Sequence, residues 1–351
     1  MVENSRVFSI EYDSQSSTGI FTLKTSTGIR RARIVVFAAG PASQAALPSD
    51  SPLLDTKLNG SVSHVFAKRN ASQSRLFPEH VLKKVQAHQR TSIAVVGGGL
   101  TSAQISAAAT SAGISKVYHL MRSCLKVKHL DLSLPWVGKY KNYHLASFWS
   151  ADNDEERWEM VKEARGGGSI TPEYRKILAG LVKQERLELR ESTQIIGAQW
   201  DEEARVWELE TKPPIEGLRV DHVIYATGFP VDFRHIPALE CLQQAATIKT
   251  VGGLPCLTND LMWSEDVPLF FTGRLAALRL GPAAGNLEGA RQGAERIAWK
   301  ISELVRNNRE VYSGAIDGQG EEQDQDEVDC RRLGLGFENQ FGILDINDAI
   351  P

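Results

Sequence analysis

The four cysteines of this 351-residue chain, Cys124, Cys241, Cys256 and Cys330, lie far apart, and none belongs to a C-x-x-C pair. That spacing excludes a disulfide scaffold, a zinc ribbon and a redox dithiol, and it fits a reducing compartment. Charge of one sign is also scarce: 40 Lys and Arg against 43 Asp and Glu leave a formal net charge of -3. With no basic excess to draw in a polyphosphate backbone, nucleic acid is not an expected partner. No apolar run approaches the roughly 18 residues of a membrane span. The opening "MVENSRVFSIEYDSQSS" lacks the basic-then-apolar layout of a signal peptide. No membrane partner is expected, and the location read from these features is cytoplasmic. The 8 histidines show neither H-x-H nor H-E-x-x-H spacing, so no metal site is expected. G-x-S-x-G and G-x-x-x-x-G-K-[ST] are both missing, which removes the hydrolase and NTPase classes.

What is present is 42% hydrophobic content, enough for one large or two moderate domains with real cores. Strand signals come first. "VFSIEY" (7 to 12), "IFTLKT" (20 to 25) and "ARIVVFAAG" (32 to 40) alternate β-branched or aromatic residues with polar ones between turn residues. The third is almost wholly apolar, as a strand buried on both faces is, and it runs into Gly40-Pro41. Downstream the pattern returns as "RLELRE" (186 to 191), "QIIGAQW" (194 to 200), "RVWELET" (205 to 211) and "DHVIYATGF" (221 to 229). Aligned by their ends, "VVFAAGP" and "VIYATGF" share an apolar run, a small residue and a glycine at the same steps, which reads as a duplicated meander and strand.

Between the copies, "TSIAVVG" runs into Gly97, Gly98 and Gly99, then a helix of small residues from Thr101 to Ala112 that ends at Gly113. A second strand, "KVYHLMR" (116 to 122), completes a β-α-β unit. In a dinucleotide turn the first glycine permits the bend, the second lets amides approach the pyrophosphate, and the third position is small so that the helix packs on the strand. Here these are Gly97, Gly99 and Ser102, with Leu100 and Thr101 supplying further amides at the positive end of the helix dipole. The end of the second strand selects the cofactor. An NAD site places Asp or Glu there for the ribose hydroxyls. This chain has Arg122 and Ser123, and no carboxylate before Asp131. A guanidinium suits the 2′-phosphate, with Lys126 or Lys128 adding positive field, so NADPH is the expected nucleotide. A methyltransferase also uses a glycine turn, but it has no role for the duplicated meander or for Arg122.

Residues 130 to 185 read as a helical insertion. "ADNDEERWEMVKEA" loads carboxylates into a first turn, and "ITPEYRKILAGLVKQ" offers Thr171 as cap and Pro172 at the first helical position. "RGGGS" (165 to 169) follows no strand and reads as a flexible link rather than a phosphate loop. Trp136, Trp149 and Trp158 are expected to form the insertion's own core. From 286 to 304, Leu287, Ala290, Ala294, Ile297, Ile301 and Leu304 recur at helical spacing, which predicts one buried face. "GQGEEQDQDEVD" (318 to 329) has almost nothing to bury and reads as a disordered acidic segment.

Taken together, "VVGGGLTSAQ", "LMRS", "VIYATGF" and "LFFTGRLAALRLGPAAGNLEGARQGAERIA" resemble the two-dinucleotide flavoproteins. The resemblance is closest to the NADPH-dependent flavin monooxygenases, including the lysine and ornithine N-hydroxylating type. It implies an α/β fold of two Rossmann-like FAD/NAD(P)-binding units, with parallel sheets, helices and β-meanders, and it implies FAD beside NADPH. Residues 1–45 would be part of the FAD unit, 46–230 the NADP(H) domain, 231–310 the return to the FAD unit, and 311–351 an acidic tail. Ala226, Thr227 and Gly228 would line the nucleotide side. Gly281, Pro282, Gly285 and Asn286 would open a helix that faces the flavin. Arg274 stands where many relatives carry Asp. In such enzymes the flavin is the reacting centre and the protein supplies position and water exclusion, so no catalytic side chain is named. The substrate implied is a small molecule, and nothing in the sequence specifies an oligomeric state. The turn at Gly97 stands 129 residues before Ala226, whereas 37 residues precede Ala38 and include no G-x-G-x-x-G. The FAD unit is therefore expected to be incomplete at its N-terminus. Two activities follow as expectations: an NADPH-dependent flavoprotein oxidoreductase of monooxygenase type, or a non-catalytic NADP(H)-binding remnant of one.

Overall fold

The computed structural model describes residues 3–14, 19–40, 48, 51–53, 61–66, 76–229 and 232–313. Residues 1–301 make one compact unit and 302–351 a second. The acidic stretch 318–329 lies outside the described residues.

The chain opens with an antiparallel meander of β1 (Val7–Asp13), β2 (Ile20–Thr25) and β3 (Gly28–Ala32), with β2 in the middle. Phe21 of β2 is fully buried, and the Tyr12 ring lies 4.5 Å from it. The third meander strand is therefore 28–32, which the sequence pattern misses because four of its five residues are exposed and no alternation marks it. What was expected as one strand over 32–40 shortens to β4 (Val35–Phe37), which runs parallel to β16 (Val267–Phe271); β15 (Met262–Ser264) flanks β16 on the other side. β4 is not buried on both faces. Val36 is 44% exposed, and among the described residues only β16 pairs with β4.

The central layer is a five-stranded parallel sheet of β5 (Val62–His64), β6 (Ser92–Val96), β7 (Lys116–Leu120), β8 (Leu187–Arg190) and β12 (His222–Tyr225), in the order β5-β12-β6-β7-β8. One face carries α1 (Glu79–Gln86), α2 (Leu100–Ser111) and α5 (Pro172–Lys183), whose Val81, Ala103, Ile105 and Leu178 close on Ile93, Val95, Val117 and Ile224. The opposite face is covered by a second meander of β9 (Gln194–Asp201), β10 (Val206–Lys212) and β11 (Arg219–Val220). Its Trp207, Leu209 and Val220 pack on Ala94, Leu120, Val223 and Tyr225. With both faces covered, all four residues of β12 are buried, each large apolar side chain contributing about 1.5–3 kcal/mol. The segment 186–191, read with the meander, instead belongs to the parallel sheet as β8. Its Leu187 is buried against Val117, which a short strand of mixed polarity does not announce.

α3 (Lys141–Trp149) and α4 (Asp154–Arg165) precede α5. The Thr171 cap holds, its hydroxyl accepting from the Tyr174 amide, and α4 gains a cap of its own where Asn153 accepts from the Glu156 amide at 2.8 Å. The three tryptophans do not form a core. Trp149 is 48% exposed, Trp136 and Trp158 are half-buried, and the buried positions are instead Leu132, Leu145, Phe148, Val161 and Ala164. Trp158 is drawn away to Gly252, where a Cβ would stand 2.2 Å from its ring.

The chain then forms α6 (Glu240–Ala245), the pair β13 (Thr250–Val251) and β14 (Leu254–Pro255), and, after β16, α7 (Ala277–Leu280) and α8 (Leu287–Ser313). A short 3-10 turn, Pro282–Gly285, opens after Gly281 as expected, but the long α-helix itself starts at Leu287. Gly281 has φ 81°, and the extended Asn286 sets the start by accepting the Gly289 amide on its side-chain oxygen at 3.0 Å. Its buried face also differs from the apolar spacing. Gly289, Gly293 and Ile297 face inward, while Leu287 is 91% exposed and Ala290 and Ala294 are exposed too. The glycines win because a Cβ at Gly289 would stand 2.4 Å from the Ala283 carbonyl oxygen and one at Gly293 2.5 Å from the Thr272 hydroxyl.

Candidate functional site

β6, β7 and β12 are parallel, so their carboxyl ends lie on one edge of the sheet, where open α/β sheets take their ligands. The expected turn sits there. Gly97 leaves β6 with φ 152°, and a Cβ on it would stand 2.5 Å from the Ala226 carbonyl oxygen. The bend is thus pressed against the end of β12, and no side chain fits between them. α2 then starts at an extended Gly99 with no side-chain cap and no acid in its first turn. The first amides of a helix have no partner within it, so those of Leu100, Thr101 and Ser102 present an uncapped positive end. Ser102, fully buried, turns its hydroxyl back to the Gly99 carbonyl at 2.6 Å, so the small third position serves packing of the helix start.

His119 is a residue that the sequence reading passes over. It is fully buried on β7, its Nε2 2.8 Å from the Gly97 carbonyl oxygen and its Nδ1 3.2 Å from the Ser106 hydroxyl. A carbonyl only accepts, so Nε2 carries the proton and Nδ1 accepts from Ser106. Burial pushes the imidazole down to about 4, against the opposing pull of the Gly97 bond. The neutral ring pins the outgoing face of the glycine turn. Its one sequence signal is a histidine at an inward position of an otherwise apolar strand.

At the end of β7, Arg122 and Ser123 are exposed, and among the described residues the Arg122 guanidinium has neither hydrogen bond nor ion pair. On β12's side, Ala226 is buried under the turn, the Thr227 hydroxyl lies 3.3 Å from Nε2 of His64, and Gly228, at φ 82°, has open space around it. Gly97 to Ser102, Arg122, Ser123 and Ala226 to Gly228 are therefore gathered at one edge. Gly281, Pro282 and Asn286 are not on that edge. They precede α8, with Gly281 and Pro282 buried, Gly285 and Asn286 exposed, and Asn286 committed to capping. Arg274 borders Gly285 and is held below the usual guanidinium range, first by burial and then by the neighbouring Arg165.

The glycine triplet after α4 does not hang free as a link. Gly166 ends α4 at φ 60°, Gly167 follows at φ 82°, and a Cβ on Gly168 would stand 3.1 Å from the Gly99 amide nitrogen and Cα. Backbone meets backbone there, and a side chain on Gly168 would press the Gly99 backbone aside by a few tenths of an ångström. Lys126 and Lys128 each donate to this loop at 2.6 Å, to the carbonyls of Gly166 and Arg165.

No protein-family model matches this sequence, and no curated protein matches it. Solved structures do. The FAD-bound cadaverine monooxygenase of the desferrioxamine pathway of Erwinia amylovora superposes with a TM-score of 0.63 at 16% identity, over 86% of this chain and 68% of that one. The ornithine N-hydroxylase of Kutzneria sp. 744, with reduced FAD, NADP+ and L-ornithine, gives 0.61 at 15% identity, over 86% and 72%. A bacillithiol disulfide reductase of Bacillus cereus gives 0.52 at 16%, also over 86% and 72%. The fold of this chain is that of the FAD/NAD(P)-binding flavoprotein oxidoreductases.

Proposed function

From that fold, we propose that the chain is an NADPH-dependent flavin oxidoreductase of monooxygenase type acting on a small molecule. The observation that carries this is the pairing of a side-chain-free bend at Gly97 with a guanidinium at Arg122 that is unpartnered among the described residues, on one edge of a parallel sheet. Residues 46–230 would hold NADPH. The amides of Gly98 to Ser102 take the pyrophosphate, Arg122 and the Ser123 hydroxyl take the 2′-phosphate, and Ala226 to Gly228 close the far side. The helix start fits an anion: among the described residues no side chain caps it and its first turn carries no acid.

Residues 1–45 and 231–310 would form the flavin side, with Gly281, Pro282 and Asn286 at the ring and the exposed Gly285 permitting close approach. When both are bound, NADPH supplies a hydride and FAD accepts it. The protein's part is to hold the two in register and to keep water out.

The test is spectroscopic. Purified protein, alone or after addition of FAD, is expected to show the flavin's visible band, bleached by NADPH without oxygen and restored by air. A colourless protein that takes up no added FAD but still titrates with NADPH assigns the chain to nucleotide binding without turnover. Failure to bind either cofactor removes the proposal.

A further inference from the structure

The four residues Arg165 to Gly168 touch both halves of the candidate site. At one end Gly168 lies against the Gly99 backbone. At the other, the Arg165 guanidinium donates through Nη1 to the Pro282 carbonyl at 3.4 Å and through Nη2 to Asp131. Three residue steps span at most about 11 Å, so this loop is a short gangway between the glycine turn and the segment that opens α8. It is also a cationic one. Lys126 and Lys128 each spend one of three ammonium hydrogens on its carbonyls, and neither has a carboxylate partner among the described residues. Arg274 stands near Arg165, and among the described residues Asp131 is the one carboxylate paired within the group. A loop built only as a link has no need to gather four cations around one acid beside an uncapped helix start.

We propose that Arg165, carried on the Arg165–Gly168 loop, is a cofactor-binding residue: it grips the phosphate and ribose of the nicotinamide half of NADPH where the cofactor passes from Gly99 towards Pro282. The inference rests on the proposed NADPH site and adds a second wall to it. Asp131 holds the guanidinium at Nη2, and among the described residues the Nε hydrogen and one hydrogen on each terminal nitrogen remain to meet an anion. The two lysines occupy the loop's carbonyls at Arg165 and Gly166 and keep the field positive.

The test compares NADPH with adenosine 2′,5′-bisphosphate, which has the 2′-phosphate and adenosine but no nicotinamide half, by calorimetric titration of the full chain. Arg165→Gln is expected to weaken NADPH about tenfold or more, the scale of a lost charged hydrogen bond, while the bisphosphate stays within about twofold. Asp131→Asn, which removes the ion pair but keeps the guanidinium, is expected to leave NADPH within about twofold. The inference is overturned if Arg165→Gln changes both ligands equally or neither, or if Asp131→Asn weakens NADPH as much as Arg165→Gln does. If Arg165→Gln does not melt cooperatively, Arg165→Lys carries the test, with the same selective loss expected and the same equal loss overturning it. Failure of the underlying site looks different: neither ligand binds the unaltered chain, or Arg122→Ala leaves both affinities unchanged.

Discussion

"VVFAAGP" at 35–41 and "VIYATGF" at 223–229 are two copies of one pattern, each preceded by a three-stranded meander, yet the molecule treats them differently. β12 lies between β5 and β6, is covered on both faces and is buried throughout. β4 pairs with β16 and, among the described residues, with nothing else, and its middle residue is 44% exposed. The same run of apolar residues is thus core in one place and, among the described residues, edge in the other. Burial belongs to the neighbours a strand acquires, and the strand's own letters do not specify them.

The sharpest way to break this comparison is to truncate matched positions. Ile224→Ala in β12, at 1% exposure, is expected to cost about 2–5 kcal/mol in denaturant unfolding. Val36→Ala in β4 is expected to cost about 0.5 kcal/mol or less. Equal losses would show that β4 is as enclosed in solution as β12.

Next comes pH. Burial holds His119 down to about 4 and His222 down to about 3, both on the five-stranded sheet, whereas residues 1–40 contain no histidine. Unfolded histidines take up protons near 6.5, so between that value and 4 the unfolded chain binds more protons than the folded one. Stability is expected to be full above pH 6.5 and to fall as pH drops towards 4, by on the order of 3 kcal/mol for His119. His119→Gln, whose side-chain amide reaches the place from which Nε2 donates to Gly97, is expected to flatten this slope in urea titrations across that range. An unchanged slope would remove His119 as its source.

Arg122→Ala is expected to weaken NADPH by about 1.5–3 kcal/mol with little change in Tm or in NADH affinity, because its guanidinium has no partner among the described residues. Equal weakening of NADPH and NADH would refute its assignment to the 2′-phosphate. The smallest effect tests the likeness of the two copies. Gly40 and Gly228 both have positive φ, 61° and 82°, with nothing near a built Cβ. Alanine at either is expected to cost about 1–2 kcal/mol of backbone strain, similar in both, as measured by Tm. A marked difference would deny that the copies are structural equivalents.

Much of the site was legible because its chemistry is local. The Gly97 bend, the small helix behind it and the Arg after the second strand are contiguous, and each residue type has one physical reason to be there. The cap at Thr171 and the strand 20–25 were readable for the same cause. What escaped was non-local. "RGGGS" gains its meaning only from contact with Gly99, His119 only from facing the Gly97 carbonyl, and the apolar Leu287, Ala290 and Ala294 lose the inward face of α8 to two glycines. Strand 28–32 escaped for the opposite reason, since an exposed meander strand buries too little to write an alternation.

By itself the sequence determined the α/β class, the duplicated meander and strand, and the glycine bend with its guanidinium, because backbone sterics, periodicity and charge act over a few neighbouring residues. Tertiary structure alone decided which copy is enclosed, which face of α8 is buried, and that a loop 66 residues beyond Gly99 closes on the same bend. Those outcomes depend on which surfaces meet after the chain has folded back on itself, and close packing tolerates only the pairings in which no side chain stands in the way.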